Sequence, residues 1–562
     1  MVDMKKANLS LFDHMLSYTP TSSKRKPYRS TQIMATIARN ASEDEIIQMI
    51  EAGMNIARFD APNGREDLKE IEASLKVLRQ AVEKYNENRQ KESDKQSQKQ
   101  ALEDGKCDAK PELCPAVHVA TALDLKGSYI ETGTFTSLDN NPIKIEIGCE
   151  IELTNEPSFE STGSSHKIFV NFPKLFSLPV DQIIVIDKFI KLRVLRVDDS
   201  PEIMAVKCQV DRGGELKLGT KFEVNMPGVR CGLPTITDDT LPAINFCKDR
   251  NFDFLIASVT DAAAFTMIKC TVNPEGLPNS LKIIAKLESE NAVQKIDKII
   301  EKSDGVLVAR GRLGRNTSAE QVIVYQKNVI AKCLKAGVPS VVSSDILKSI
   351  KKDGGDGTRA EIADIVNMVL DGVDCIMLED GISTSSTIDR MKETILEAED
   401  MINYRQWYWD LMTQVPIPPV PHTSRDFTNV TSLSACTAAM VNGANAIVVL
   451  TETGNSAQMI AKYRPECPIV AVTRHDVVAR QVLLLRGVFS MTVQDPKSDN
   501  YQKAVEESIQ DGINLAKNCC LIKKYPGTVV AVCGSDEGGK SNTIRIIVVD
   551  KDKKPEDTLS EE

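Results

Sequence analysis

The chain has 562 residues, enough for about three or four domains. Hydrophobic residues make up 42% and charged residues 26%, which supports large folded cores and excludes disorder throughout. With 69 Lys+Arg against 79 Asp+Glu, the net charge of −10 gives no general attraction to nucleic acid or anionic membranes. The 14 Cys form no CxxC pair, which speaks against zinc ribbons and thioredoxin-type sites and for a reducing compartment. No apolar run reaches the ~18 residues of a membrane span. The N-terminus lacks a signal-peptide apolar core, so the expected location is cytoplasmic.

In chain order, the apolar run 33–37 predicts a strand. Residues 43–52 predict a helix with Ile46, Ile47 and Ile50 on one face. A strand at 55–59, a helix at 65–85 and a strand at 117–123 follow. Gln-, Lys- and Glu-rich residues 86–111 predict a solvated loop. From 134 to 232 the pattern changes to short alternating strands without helical periodicity, so an all-β insert is expected. Five more apolar runs, 253–258, 281–287, 305–310, 339–344 and 374–378, each precede a helical pattern. Eight strand–helix units predict a (β/α)₈ TIM barrel, with a doubly wound sheet as the competitor.

The stiff Pro-rich stretch 416–421 leads into a C-terminal α/β unit with strands at 446–450, 468–473, 528–533 and 543–549. The expected domains are thus the barrel (30–133 and 233–400), the β lid (134–232), a linker (401–424) and the C-terminal domain (425–550). An N-terminal segment (1–29) and a charged tail (551–562) flank them.

The ends of the barrel strands carry Arg58 and Asp60, Asp124 and Lys126, Lys286 and Glu288, Arg310 to Gly314, Ser344 and Asp345, and Glu379 and Asp380. Barrel sites lie at these ends, and converging charges are costly to bury unless they pair or bind a ligand. Arg and Lys suit phosphate and carboxylates suit Mg²⁺, so phosphoryl transfer is the chemistry expected; any single charge could equally be a rim salt bridge. Gly311 and Gly314, before a helix from about 319, could offer backbone N–H groups to an anion.

Residues 534–541 fit a P-loop pattern, but a β-branched run follows where a helix is required, so a hairpin loop is expected. The loop Thr451, Thr453, Gly454 and Ser456 reads either as a phosphate cradle or as a helix start capped by Ser456. Thr358 and Glu361 read as a capping box, and Trp407 and Trp409 as interdomain packing.

Nearly the whole chain, about 30–550, resembles pyruvate kinase. The resemblance rests on Gly53-Met-Asn-Ile-Ala-Arg-Phe59, Ala122-Leu-Asp-Leu-Lys-Gly127, Ile284-Ala-Lys-Leu-Glu288, Ser303-Asp-Gly-Val-Leu-Val-Ala-Arg-Gly311, Thr358-Arg-Ala-Glu361 and Tyr463-Arg-Pro465. It implies a barrel with a lid after the third strand and a C-terminal effector-type domain. It also implies phosphoryl transfer from phosphoenolpyruvate to ADP, giving pyruvate and ATP with Mg²⁺ and K⁺, in a cytoplasmic homotetramer.

Carried over by position, Lys286 and Ser344 are implied as catalytic. Arg58, Lys286, Gly311, Arg312 and Ser344 are implied in substrate binding, Glu288 on Mg²⁺, and Asp60 and Asp124 on K⁺. The family pattern breaks where Arg312 replaces a second metal carboxylate, Glu131 an active-site arginine, and Tyr129 the residue governing the monovalent cation. Pro62 and Asn63 stand where K⁺- and nucleotide-side groups belong, and the lid motif reads Lys221-Phe-Glu-Val-Asn225. In the effector loop, Glu452 and Asn455 replace a lysine and an arginine.

Two opposite charge reversals at one site predict that Arg312 pairs with Glu131 or Glu288 and fills the metal position. Two readings stay open: an impaired pyruvate kinase, or a non-catalytic paralogue acting as scaffold, ligand sensor or hetero-oligomer partner of an active one.

Overall fold

The computed structural model describes residues 28–550 except 63, 104–115, 128, 137–140, 188, 201–202, 230–232, 239, 274–279, 354, 414–426, 495–500, 523–524 and 535–540. Asn63, the Pro-rich stretch and both charged ends therefore lie outside the described residues.

Three strands open the chain: β1 (Gln32–Thr36), β2 (Ile56–Ala61) and β3 (Ala120–Leu125). The lid strands follow: β4 (Ile143–Ile145), β5 (Glu150–Thr154), β6 (Lys167–Phe169), β7 (Ile183–Ile186), β8 (Ile190–Ser200), β9 (Ile203–Arg212), β10 (Gly214–Leu216) and β11 (Val224–Asn225). The chain then returns through β12 (Phe254–Ser258), β13 (Lys282–Leu287), β14 (Gly305–Ala309), β15 (Ser340–Ser343) and β16 (Cys375–Leu378). These last five close with the first three into a barrel of order β1-β16-β15-β14-β13-β12-β3-β2, so the TIM barrel and not the doubly wound sheet is formed.

Every barrel pair is parallel, and β1, β3, β14, β15 and β16 are buried at every residue. That two-sided burial is why these segments read as continuous apolar runs. Helix starts are chemically marked: Ser42 and Glu45 form a capping box on helix Glu43–Ala52, as Thr358 and Glu361 do on Arg359–Asp371. Gly53, at φ +113°, ends the first of these in a left-handed turn.

The lid packs Leu153, Ile184, Val194 and Val206 inside a six-stranded sheet, β11-β7-β8-β9-β5-β6, beside the β10–β4 pair. Its stem is a two-stranded ribbon in which Thr132 N donates to Phe222 O and Val224 N to Ile130 O, both at 2.7 Å.

The C-terminal sheet has the order β19-β18-β17-β20-β21, with β17 (Ala446–Leu450), β18 (Ile469–Thr473), β19 (Val488–Thr492), β20 (Gly527–Cys533) and β21 (Thr543–Val549). β20 and β21 pair antiparallel, so a strand follows residues 534–541, as a hairpin requires and a P-loop forbids. This domain is fastened to the barrel by Arg464, whose Nη1 lies 2.6 Å from Asp374 Oδ1 and whose Nη2 donates to Gly372 O. Gln32 Nε2 also donates to Leu485 O across the joint.

Four expectations need correction. Residues 86–103 are not loop: helix Leu68–Glu103 runs through them, supported by good helix formers and i,i+4 pairs such as Glu87–Lys91. Strand β19 was not expected, because an edge strand reading Val-Phe-Ser-Met-Thr has no continuous apolar run. Trp407 does pack at the joint, between Gly372 and the Arg486 guanidinium, but Trp409 is 42% exposed. Ser456 is not a cap: Gly454, at φ +82°, is the N-cap of helix Asn455–Lys462.

Candidate active site at the barrel mouth

The parallel register places the charged residues of several strands on one rim. Asp60 of β2 sits opposite Asp124 of β3, and Ser258 of β12 opposite Lys286 of β13. Asp124 is the buried centre of this rim. Its Oδ2 accepts Arg58 Nε at 3.0 Å and Nη2 at 2.6 Å, and its Oδ1 accepts Lys286 Nζ at 2.7 Å. Arg58 Nη2 also lies 2.9 Å from Asp60 Oδ1.

Burial alone works against the charged form of Asp124, but the Lys286 and Arg58 cations outweigh it and hold the carboxyl below its usual value. The same balance pushes Lys286 upward: burial lowers its pKa, and Asp124, then Glu288, more than restore it. Lys286 is thus held as a cation.

Glu288, just past β13, is the second centre. It accepts Tyr129 OH at 2.9 Å on Oε1 and 3.1 Å on Oε2, and Ser258 OH at 2.5 Å on Oε2. Lys286 Nζ and Arg312 Nε lie 3.5 and 3.4 Å from its Oε1. The Arg312 guanidinium stacks 3.7 Å from the Tyr129 ring centroid. Burial first, then the Glu288 charge, push the Tyr129 phenol well above its ordinary range, so it stays a donor.

Of the two partners expected for Arg312, Glu288 is in contact and Glu131 is not. Glu131 pairs with Lys126 at 3.3 Å instead. The principal partner of Arg312 is Glu223 of the lid ribbon, which also binds Arg315. Glu223, Arg315 and Ser258 were missed by sequence reasoning. The signal was available in part: the lid motif carries a Glu, opposite in sign to Arg312.

Arg310 to Gly314 are not an open glycine loop but lie in helix Arg310–Asn316. A Cβ at Gly311 would sit 3.1 Å from Ser344 Cβ, so glycine permits this close packing. Ser344, at φ +79°, is held by Arg310, whose Nε and Nη2 donate to its carbonyl at 3.2 and 2.8 Å.

The residues present do not fit a divalent cation. Both oxygens of Glu288 carry hydroxyl donors and two cations stand beside it, where a metal needs free carboxylate oxygen. No group of three or more His, Cys, Asp or Glu suited to a metal occurs among the described residues. Asp60 and Asp124, implied as K⁺ ligands, are engaged by Arg58 and Lys286; Pro62 brings no hydroxyl.

In the C-terminal domain, Thr451, Thr453 and Ser456 line a cavity of about 260 Å³ with Arg474 and Tyr501. Gly454 N donates to Thr451 Oγ1, and Glu452 faces His475 at 3.1 Å. A carboxylate there opposes a phosphorylated ligand.

Comparison with known proteins gives the family. The family description "Pyruvate kinase, barrel domain" matches residues 28–386, and "Pyruvate kinase, alpha/beta domain" matches 429–547. The chain is 32% identical to pyruvate kinase PKLR of Homo sapiens, over 93% of this chain and 85% of that protein. It is 30% identical to pyruvate kinase 2 of Saccharomyces cerevisiae, over 93% and 95%. With the pyruvate kinase of Bacillus licheniformis it shares 30% identity, over 93% and 80%.

Proposed function

The chain belongs to the pyruvate kinase family, and from that premise we propose that it is a member whose phosphoryl transfer from phosphoenolpyruvate to ADP is strongly impaired. One observation carries this reading: Arg312 lies against Glu288, the carboxylate on which the resemblance places the divalent metal. Phosphoryl transfer relies on positioning and on cations that stabilise charge on the transferring group. Arg58 and Lys286 remain to hold an anionic substrate, but each already shares Asp124. Loss of a metal's charge stabilisation costs several kcal/mol, and each ~1.4 kcal/mol is about tenfold in rate.

The test is a coupled lactate dehydrogenase assay with phosphoenolpyruvate, ADP, Mg²⁺ and K⁺. Turnover is expected below about 0.1 s⁻¹, against roughly 1–100 s⁻¹ for ordinary kinases. The paired reversion Arg312→Asp with Glu131→Arg should raise it. Ordinary turnover that vanishes in Lys286→Met would overturn the reading.

A second observation favours assembly. Helix Phe427–Asn442 exposes Phe427, Val430 and Val441, and β21 beside it exposes Ile546 and Val548. We propose that a second pyruvate-kinase-like chain covers this face, as a homotetramer or beside an active paralogue. Light scattering of the purified protein tests it: a monomer at micromolar concentration rejects self-assembly.

A further inference from the structure

Two guanidiniums at the barrel mouth share one acceptor. Arg312 and Arg315 lie one turn apart on helix Arg310–Asn316, a spacing that puts both side chains on one face. Each donates Nη1 to Oε2 of Glu223. Glu223 stands opposite Glu131 in the ribbon that joins lid to barrel. The same helix holds the ribbon a second way, because Asn225 Nδ2 donates to Arg315 O at 2.7 Å. One short helix therefore grips the stem of the lid through side chain and main chain.

The pair of guanidiniums is under-used by this partner. Each has five N–H donors in a planar fork, and one carboxylate oxygen cannot satisfy two forks. Arg315 Nε is buried and has no hydrogen-bond partner among the described residues. Arg312 is held in place by Tyr129 beneath its plane. Nearby Glu131 is occupied by Lys126 and does not compete; Glu288 takes the Arg312 Nε edge at 3.4 Å and leaves the Nη edge and Arg315 to Glu223. Converging, pre-positioned guanidiniums with spare donors suit an anion of several oxygens better than a single carboxylate oxygen.

We propose that Arg312 and Arg315 form a receptor for a small phosphoryl or carboxylate anion, with Glu223 as the built-in anion that occupies it. An incoming anion displaces Glu223 and releases the side-chain grip on the lid ribbon, leaving the Asn225–Arg315 main-chain contact. This needs neither metal nor turnover. Glu223 acts as an internal competitor, so the measured dissociation constant is the intrinsic one divided by the fraction of molecules in which the fork is free. If that fraction is about 1–10%, removing Glu223 tightens binding about tenfold to hundredfold.

The experiment is calorimetric titration of the full chain with inorganic phosphate in the presence of EDTA. Glu223→Gln should bind phosphate at least about tenfold more tightly than wild type. Arg315→Gln in the Glu223→Gln background should lose that gain. Phosphate should also speed amide exchange across residues 222–225 in wild type and not in Arg315→Gln. Equal affinity in wild type and Glu223→Gln, or a gain that survives Arg315→Gln, overturns the proposal. Should Glu223→Gln fail to fold by circular dichroism, Glu223→Asp keeps the charge at shorter reach, and an affinity no tighter than wild type overturns it equally. Ordinary catalytic turnover would sink the proposed impairment and leave this result untouched.

Discussion

Arg312→Asp puts the filled metal position to a quantitative test. Arg312 Nε lies 3.4 Å from Glu288 Oε1, an attraction of about 5 kcal/mol at an effective dielectric constant of about 20. The Arg312 side chain is 33% exposed, so solvent screening and desolvation leave roughly 1–2 kcal/mol of net stabilisation. The substitution also removes a partner of Glu223 and adds a carboxylate beside Glu288, which turns attraction into repulsion. A total loss of about 2–4 kcal/mol is expected in EDTA. The variant then has the paired carboxylates a divalent ion wants, and an ion at 100 times its dissociation constant returns about 2.7 kcal/mol. The assay is urea unfolding followed by circular dichroism, with and without saturating MgCl₂. Midpoints are the quantity compared, because a chain with several cores does not unfold in one two-state step. The wild-type midpoint should be the same in both buffers, and the variant should be low in EDTA and recover in Mg²⁺. A wild type stabilised by Mg²⁺, or a variant indifferent to it, would refute the reasoning.

Lys286→Met leaves Asp124 with Arg58 alone and is expected to cost about 2–4 kcal/mol, seen as a lower thermal midpoint; an unchanged midpoint would mean the rim is not one network. Arg464→Ala leaves Asp374 buried without its guanidinium and should cost about 3–5 kcal/mol at the domain joint, so that calorimetry resolves an earlier, separate melting of the C-terminal domain. At Glu361 burial opposes ionisation, but hydrogen bonds from Ser349 and Thr358 outweigh it and bring the pKa down to about 2. A carboxyl depressed in the folded state stabilises above its unfolded value of about 4.3, and that contribution is lost as the pH falls from about 5 to about 2. The gap in stability between wild type and Glu361→Gln should therefore shrink over that window.

The barrel was legible because its strands are buried on both faces, and residues such as 305–309 announce that with an unbroken apolar run. β19 was not, since an edge strand half covered by solvent needs no such run. Helix 86–103 was hidden for the opposite reason: its polar residues serve a helix in water as well as a loop. At the site, residue types were readable and partners were not. Arg312 and Glu223 are 89 residues apart, and only the lid's pairing with its own stem brings them together. Glu131 was a reasonable partner by charge, but its five-residue separation from Lys126 gives it a nearer one.

The charge changes at the mouth behave physically as a set. Arg58, Lys286, Arg312 and Arg315 meet Asp60, Asp124, Glu288 and Glu223, four cations and four carboxylates in contact with one another. By the resemblance, an Arg in place of a metal-binding Asp adds two units of charge, equal to those of the divalent ion it makes unnecessary. Glu223 in the lid then supplies the counter-charge. A coupled set predicts non-additivity. Arg312→Asp alone leaves Glu223 to Arg315 and Glu288 to Lys286 with a third carboxylate beside them, whereas Arg312→Asp with Glu223→Gln removes one of the three. The double variant should be more stable than the sum of the single losses by about 0.5–3 kcal/mol, measured from urea midpoints in EDTA. Losses that add would mean the two positions act independently, and the case for a self-neutralised site would fall with them.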